Sequence, residues 1–295
     1  MSTEIVRAKA EHVPEVGRII FEAFKGIQDR HAFPLDIPSV EMATHMAGML
    51  VQRPDFYGAV AIEGTKVVGS NFTMISDPVS GLGPITVDPG YQGRGVGGKL
   101  MRHVIERSLK NHGPMIRLVQ ESFNMPSLSL YTSLGFTVVE PLVLMEVKPA
   151  EHADTTVRPL AVGDVPACDA LCQRVLKVSR KNELAFMIEH GAGAGFVPHG
   201  RFKDGKPVAY IIPGFFGHGV GESADDLLTA VTQAARTTPP IAHRVFVPVR
   251  NGELFRKALN LEMRSIKCLN LMALGPYEEP LGPNGGTAWA PSIAY

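Results

Sequence analysis

Cysteine is scarce in this 295-residue chain: Cys168, Cys172 and Cys268 are the whole complement. Three scattered thiols exclude a disulfide framework and a zinc site, and no metal is called for. Cys168 and Cys172 stand four apart, the spacing of buried thiols on one helical face. Net charge is lacking as well, with 29 basic residues against 29 acidic ones. That removes the broad electrostatic footprint of a general nucleic-acid binder. Long apolar runs are missing too. The opening MSTEIVRAKAEH has no apolar signal-peptide core, and no stretch approaches membrane-spanning length. The expectation is a soluble cytoplasmic protein without nucleic-acid or membrane partners. A hydrophobic content of 45% is enough for a real core, in one large domain or two of average size.

The first half alternates strand and helix periods. TEIVRA reads as a short strand, and Val13, Val16, Ile19, Ile20, Ala23 and Phe24 form one helical stripe. A second helix is expected over 39–52. FYGAVAIE and KVVGSNFTMIS form a hairpin through Gly64 and Thr65. LGPITV is a third strand, and the next helix carries Leu100, Val104 and Leu109 on its apolar side with Gly113 as its stop. MIRLVQES is a strand, PSLSLYTSL a short helix, and FTVVE with LVLMEVK a closing strand pair.

The second half replays that order: Val157-Arg158 answers Val6-Arg7, Val165-Pro166 answers Val13-Pro14, and Asp204-Gly205 marks the second hairpin. A repeat of about 150 residues reads as two copies of one domain. The expected domains are 1–149 and 155–274, joined by PAEHAD at 149–154. The Pro/Gly-rich segment 275–295 is expected to be irregular and packed on the surface.

DPGYQGRGVGGKLM, residues 88–101, fits three phosphate-binding patterns. As a P-loop it fails, because Leu100 stands where Ser or Thr must hold Mg²⁺. As a dinucleotide fingerprint it has Gly93, Gly95 and Gly98, and Glu121 in the place of the ribose-binding acid. But DPGYQ separates the strand from the first glycine, and Pro89 is a poor strand residue. The third pattern is Q-x-x-G-x-G, from Gln92, Gly95 and Gly97. A glycine-rich link between strand and helix can be merely tight. Glycines in a helix's opening turn nonetheless cost about 1 kcal/mol each against alanine, which makes sense if a bulky anion approaches the backbone.

Downstream, NMPSLSLYTSLGF places Asn124 seven residues before Tyr131. With ITVDPGYQGRGVGGKLM it resembles the GNAT superfamily of acetyl-CoA-dependent N-acetyltransferases over residues 3–148; for the second half the likeness is architectural. The resemblance implies two tandem acyl-CoA N-acyltransferase-like domains of mixed α/β type, with the active site in the first. It implies that the main chain of Ile85, Thr86 and Val87 pairs with pantetheine. It also implies that the backbone of Gln92, Gly93, Arg94, Gly95, Val96, Gly97 and Gly98 binds the CoA pyrophosphate, with Arg94 adding charge. Tyr131 is then the general acid for the departing thiolate, and Asn124 either orients pantetheine or caps the helix. Histone-type members carry a glutamate where Leu82 stands here. Glu121 is the substitute base, with Asp88 behind it and a water chain as a further route.

The implied reaction moves an acetyl group from acetyl-CoA to a primary amine of a small molecule or peptide. The alternatives are a longer acyl-CoA donor and a non-catalytic acyl-CoA-binding or regulatory protein. In the second copy GHGVGESADD stands where QGRGVGG should, with Glu222, Asp225 and Asp226 repelling a pyrophosphate. RKALNL set against YTSLGF puts Arg256 in place of Tyr131. The second copy is therefore expected to be degenerate and to shape the acceptor cleft, with Trp289 and Tyr295 as tail residues within reach. A homodimer is left open.

Overall fold

In a computed structural model describing residues 3–215, 217–281 and 287–292, the chain opens with β1 (Glu4–Arg7), α1 (Val13–Arg30), α2 (Val40–Gln52), β2 (Phe56–Glu63), β3 (Lys66–Met74), β4 (Ser80–Val87), α3 (Val96–Asn111), β5 (Ile116–Glu121) and α4 (Met125–Ser133). Strands β1 to β4 pair antiparallel in chain order, and β5 joins β4 in parallel. Helices cover both faces, which is why β2 and β3 are buried almost throughout instead of alternating. On one face Val16, Ile19 and Ile20 of α1 and Ala43, Ala47 and Leu50 of α2 pack on Phe56, Val60 and Phe72. The other face carries α3. Its buried stripe runs through Leu100, Met101, Val104, Ile105 and Ser108, while Leu109, expected inside, is 47% exposed. Gly113, at φ 112°, donates to the Ser108 carbonyl and ends the helix.

The remaining elements are β6 (Thr137–Glu146), β7 (Val157–Pro159), α5 (Val165–Leu176), α6 (Lys181–His190), β8 (His199–Lys203), β9 (Lys206–Ile211), β10 (Gly219–Gly221), α7 (Ala224–Ala234), β11 (Arg244–Pro248), α8 (Gly252–Asn260), β12 (Arg264–Leu274) and β13 (Ala288–Ala290). From β7 to β12 they repeat the order of β1 to β6 element for element, as the repeat in the sequence predicts.

The chain divides into two compact units. One runs to Thr137 and takes in Ala273–Gly275; the other holds Val138–Met272 and the segment from Pro276. The expected joint at 149–154 carries no helix or strand, yet the units divide at 137/138. The expected closing strand pair is the reason. It is one strand, β6, whose residues 142–146 pair with β11, and Pro141 joins in by accepting from the Val249 N–H. A proline carbonyl can serve a ladder even though its nitrogen cannot.

A second difference lies in the segment from Gly275. Residues 276–281 carry no regular structure, but Ala288–Ala290 form β13, antiparallel to β10, with Trp289 only 4% exposed. An unfilled strand edge and the burial of one large ring outweigh a composition that reads as irregular. Tyr295 lies outside the described residues. Cys168 and Cys172 are buried on α5, as their spacing predicts, and Cys268 is exposed. Among the described residues no helix is long and apolar enough to cross a membrane, and no cluster of three metal-ligating side chains forms.

Candidate active site

All the candidate residues stand in the first unit, around the end of β4. Strands β4 and β5 pair at Ser80 with Ile116 and at Gly81 with Arg117, and among the described residues their ladder stops there. Pairing of β4 with β3 continues to Val87, so the later half of β4 has one edge bonded and one open. Which groups face the opening follows from alternation along an antiparallel ladder. The Asp88 N–H bonds the Val68 carbonyl of β3 at 3.0 Å. Thr86 therefore turns the same way, and its hydroxyl meets Ser70 Oγ at 3.2 Å. Ile85 and Val87 turn their N–H and carbonyl groups to the open edge. The Val87 carbonyl accepts from the Gln92 side chain at 3.1 Å. Of the three strand residues expected to pair with a ligand, Thr86 is thus committed to β3.

Residues 88–95 form the link to α3. Asp88 caps a 3-10 turn over Pro89–Tyr91 by accepting the Gly90 N–H at 2.9 Å. The same carboxylate accepts from Arg18 of α1 at 2.7 Å and lies 3.4 Å from Lys66 Nζ. Burial would raise its pKa, but the Arg18 and Gly90 hydrogen bonds and the Lys66 charge outweigh that and hold it below the usual carboxylate range. A carboxylate so engaged is a poor proton acceptor; Asp88 is a strut of the loop. The Tyr91 ring has Lys66 and Arg94 at 5.1 Å each from its centre.

Gly93 and Gly95 have φ of 76° and 82°, the left-handed region where glycine is at no disadvantage. Gly97 and Gly98 are not in that region. A Cβ on either would meet Leu130 of α4 at 3.5–3.8 Å, an ordinary contact, and one on Gly98 would also stand 3.1 Å from the end of the Arg102 side chain, so packing alone does not demand glycine at these two positions. Helix α3 begins with the exposed Gly95 as N-cap and has no acid in its first turn. Its leading N–H groups, from Val96 to Gly98, lack intrahelical acceptors and carry the positive end of the helix dipole. That is an anion cradle.

Leu130 brings its neighbour Tyr131 along. The Tyr131 ring is buried, with its centre 6.2 Å from that of Phe136. Its hydroxyl has no hydrogen-bond partner among the described residues. Burial, aided by the Glu121 carboxylate, pushes its pKa well above that of an ordinary phenol, so it keeps its proton at neutral pH. Asn124 caps α4 by accepting the Ser127 N–H at 3.3 Å. In the second unit Asn251 caps α8 with nearly the same backbone angles, accepting from Leu254 at 3.1 Å. Capping therefore accounts for Asn124 by itself.

With Asn251 set on Asn124, Ala258 falls where Tyr131 stands, and not Arg256, which the match of RKALNL to YTSLGF puts there. The Met263 N–H bonds the Ala258 carbonyl just as Phe136 N–H bonds that of Tyr131. Arg256 is exposed. The two-residue offset arises because Gly135 at the helix end is matched by Glu262, which takes the same left-handed turn at φ 58° without a glycine to mark it. In the second unit only residues 222–223 join β10 to α7, so there is no counterpart of 88–95. Gly219 and Gly221 lie in β10, where a Cβ on Gly221 would stand 2.9 Å from that of Leu227. Glu222 pairs with Arg174, and Lys257 with Asp225. Asp226 is buried against Arg201 and Lys203.

Three residues of the first unit were not singled out in the sequence. Gln28, fully buried on α1, donates to Asp36 at 2.5 Å, accepts the Asp36 N–H at 3.1 Å, and reaches Glu121 at 3.4 Å. It thus ties the α1–α2 connection to the end of β5. Phe33 of that connection stacks on Phe123 at 4.4 Å, and His31 lies 5.0 Å from the same ring. Buried Gln120 holds the turn after β5, donating to the Asn124 carbonyl at 2.9 Å and to the Glu121 carbonyl. A glutamine in a strand or helix carries no local signal for such a role.

Residues 22–136 match the sequence model of the Acetyltransferase (GNAT) family, which uses acetyl-CoA as acyl donor. Two crystal structures share the fold along nearly the whole chain. One is a Pyrococcus horikoshii protein provisionally assigned as an acetyltransferase, 16% identical, with a TM-score of 0.74, covering 99% of this chain and 95% of that one. The other is a GCN5-related N-acetyltransferase from Sphaerobacter thermophilus, 12% identical, with a TM-score of 0.59, covering 94% and 97%. The search among curated proteins gives no match.

Proposed function

We propose, from the match of residues 22–136 to the GNAT acetyltransferase family, that the first unit transfers the acetyl group of acetyl-CoA to a primary amine. The observation that carries this reading is the pairing of an open β4 edge with an acid-free α3 N-terminus, with a protonated, unbonded phenol on α4, the helix whose Leu130 lies next to Gly97 and Gly98. The residues fit acetyl-CoA. Ile85 would offer its N–H and carbonyl, and Val87 its N–H, to pantetheine in strand fashion, the Val87 carbonyl being held by Gln92, and the 92–98 backbone with Arg94 would hold the pyrophosphate.

The amine, once deprotonated, attacks the thioester carbonyl. Its proton goes to Glu121, directly or through water, and the Val87 N–H stabilises the oxyanion. As the carbon–sulfur bond breaks, Tyr131 gives its proton to the thiolate, so the products are the N-acetyl amine and free CoA thiol. The phenoxide is reprotonated from solvent. Glu121 lies at the junction where Gln28, Asp36, Phe33 and Phe123 meet. Carboxylates beside stacked rings favour an acceptor that arrives as an ammonium, on a small molecule or at a peptide terminus or lysine.

Tyr131→Phe tests the assignment. The hydroxyl holds nothing among the described residues, so thermal stability and acetyl-CoA affinity should stay as they are. Turnover should fall about 10²–10⁴-fold, the usual worth of a positioned acid. Turnover within threefold of wild type would remove Tyr131 from the mechanism. A wild-type chain that binds acetyl-CoA but acetylates no amine in a broad panel would favour a binding or regulatory role.

A further inference from the structure

The acyl-CoA slot read in the first unit has a counterpart in the second, and that counterpart is filled. Strands β7 to β10 repeat the antiparallel order of β1 to β4, so β10 stands where β4 stood. On the edge of β10 away from β9 lies β13, with Gly219 opposite Ala290, Val220 opposite Trp289 and Gly221 opposite Ala288. Among the described residues β13 is an element without a partner in the first unit. It also packs against β11, the strand that answers β5.

Its seat is built for it. Ala288 and Ala290 share a core with Val245 and Val247 of β11, Leu254 of α8 and Leu227 of α7. The Thr287 carbonyl accepts from Asn251, the cap of α8, at 3.4 Å. Past the strand, Ser292 Oγ accepts from buried Arg180 at 3.4 Å. The phosphate end is closed as well, because Ser223 caps α7 and its hydroxyl bonds the buried Asp226 carboxylate at 2.6 Å.

We infer that Ala288–Ala290 is a built-in occupant of the second unit's acyl-CoA slot. It is a peptide strand bound by β-augmentation where the first unit keeps an open edge for pantetheine. Each chain then carries one acyl-CoA site and one slot sealed by its own peptide. This rests on the acetyl-CoA reading of the first unit.

Trp289 is the chain's single tryptophan, so its emission reports on the sealed slot alone. The experiment titrates CoA into the full-length wild type and into Gly95→Glu, following heat and tryptophan emission together. Backbone hydrogen exchange is measured on the unliganded protein. The expected results are one CoA per wild-type chain, binding to Gly95→Glu weakened at least about 30-fold, and blue-shifted emission unchanged to saturation. The Val220 and Trp289 amides should exchange as slowly as those of β9. Two CoA per chain overturns the inference. So does residual binding in Gly95→Glu that comes with a red shift of Trp289. If wild type binds no CoA at all, the first-unit reading has failed. Exchange then decides the second: slow exchange keeps the built-in strand, and loop-like rates at 220 and 289 refute it.

Discussion

Replacing Gly95 by glutamine and by glutamate separates the backbone requirement of the loop from its electrostatics. Gly95 sits at φ 82°, and a Cβ built there meets no atom within 4 Å. Neither side chain therefore clashes, and both pay only the left-handed backbone cost, about 1–2 kcal/mol. At about 2–4 °C per kcal/mol, both variants should melt a few degrees below wild type. What distinguishes the two is charge. In the absence of CoA a carboxylate at the α3 N-terminus is favourable by about 0.3–1 kcal/mol, so the glutamate variant should melt slightly above the glutamine one. Against CoA the order reverses. Two like charges about 4–8 Å apart near a protein surface repel by about 2–4 kcal/mol, which is about 30- to 900-fold in affinity.

The assay is calorimetric titration of CoA into both variants at 0.1 M and 1 M salt. The gap should shrink at the higher salt, where the screening length falls to about 3 Å. If glutamine and glutamate variants bind CoA equally at low salt, the α3 N-terminus does not hold the phosphates. The cradle argument then fails.

Two further predictions concern buried polar groups. Gln28→Leu strips the Asp36 N–H of its acceptor and should cost about 1–3 kcal/mol of stability. It should raise the acceptor KM while leaving CoA affinity unchanged; unaltered acceptor kinetics would show that Gln28 serves the fold alone. In the second unit burial would raise the Glu183 carboxyl, but Arg180 and His218 beside it overcome that and hold it at about 2. A carboxyl lowered from an ordinary 4.5 stabilises the fold fully above pH 4.5 and loses that contribution as pH falls through 2. Glu183→Gln should therefore lower stability at pH 7 by about 3–5 kcal/mol and flatten the acid limb of a stability–pH curve; an unchanged acid limb would refute the assignment.

Much of the site was legible before any coordinates. Gly93 and Gly95 announce themselves because only glycine takes a left-handed turn without strain, and the stripe Val16, Ile19, Ile20 follows from helical period. The cap at Asn124 is likewise a short-range event, spanning three residues. Misreadings arose where the decisive partner is remote. Leu109 is a plainer case: nine residues on from Leu100 it stands about 180° round the helix, on the outer face, and Ser108 takes the buried place. FTVVE and LVLMEVK read as two strands because Pro141 looks like a break, yet its carbonyl is held by the Val249 N–H from more than a hundred residues away. Arg256 took the place of Ala258 because Glu262 makes a turn that the first unit assigns to a glycine.

The sequence by itself determined the elements, their order, the doubling of that order, and the glycine-marked loop that ends at α3. Each is set by torsional preference or periodicity within a few neighbouring residues. Only the tertiary structure decided where the β4–β5 ladder stops, that Asp88 is a strut held by Arg18 and Lys66, and that Gln28 joins Asp36 to Glu121. It also decided that Ala-Trp-Ala, in a segment of loop-like composition, is a strand. Strand edges and buried hydrogen bonds are satisfied by whatever group the fold brings near, and that choice leaves no local mark on the residues that make it.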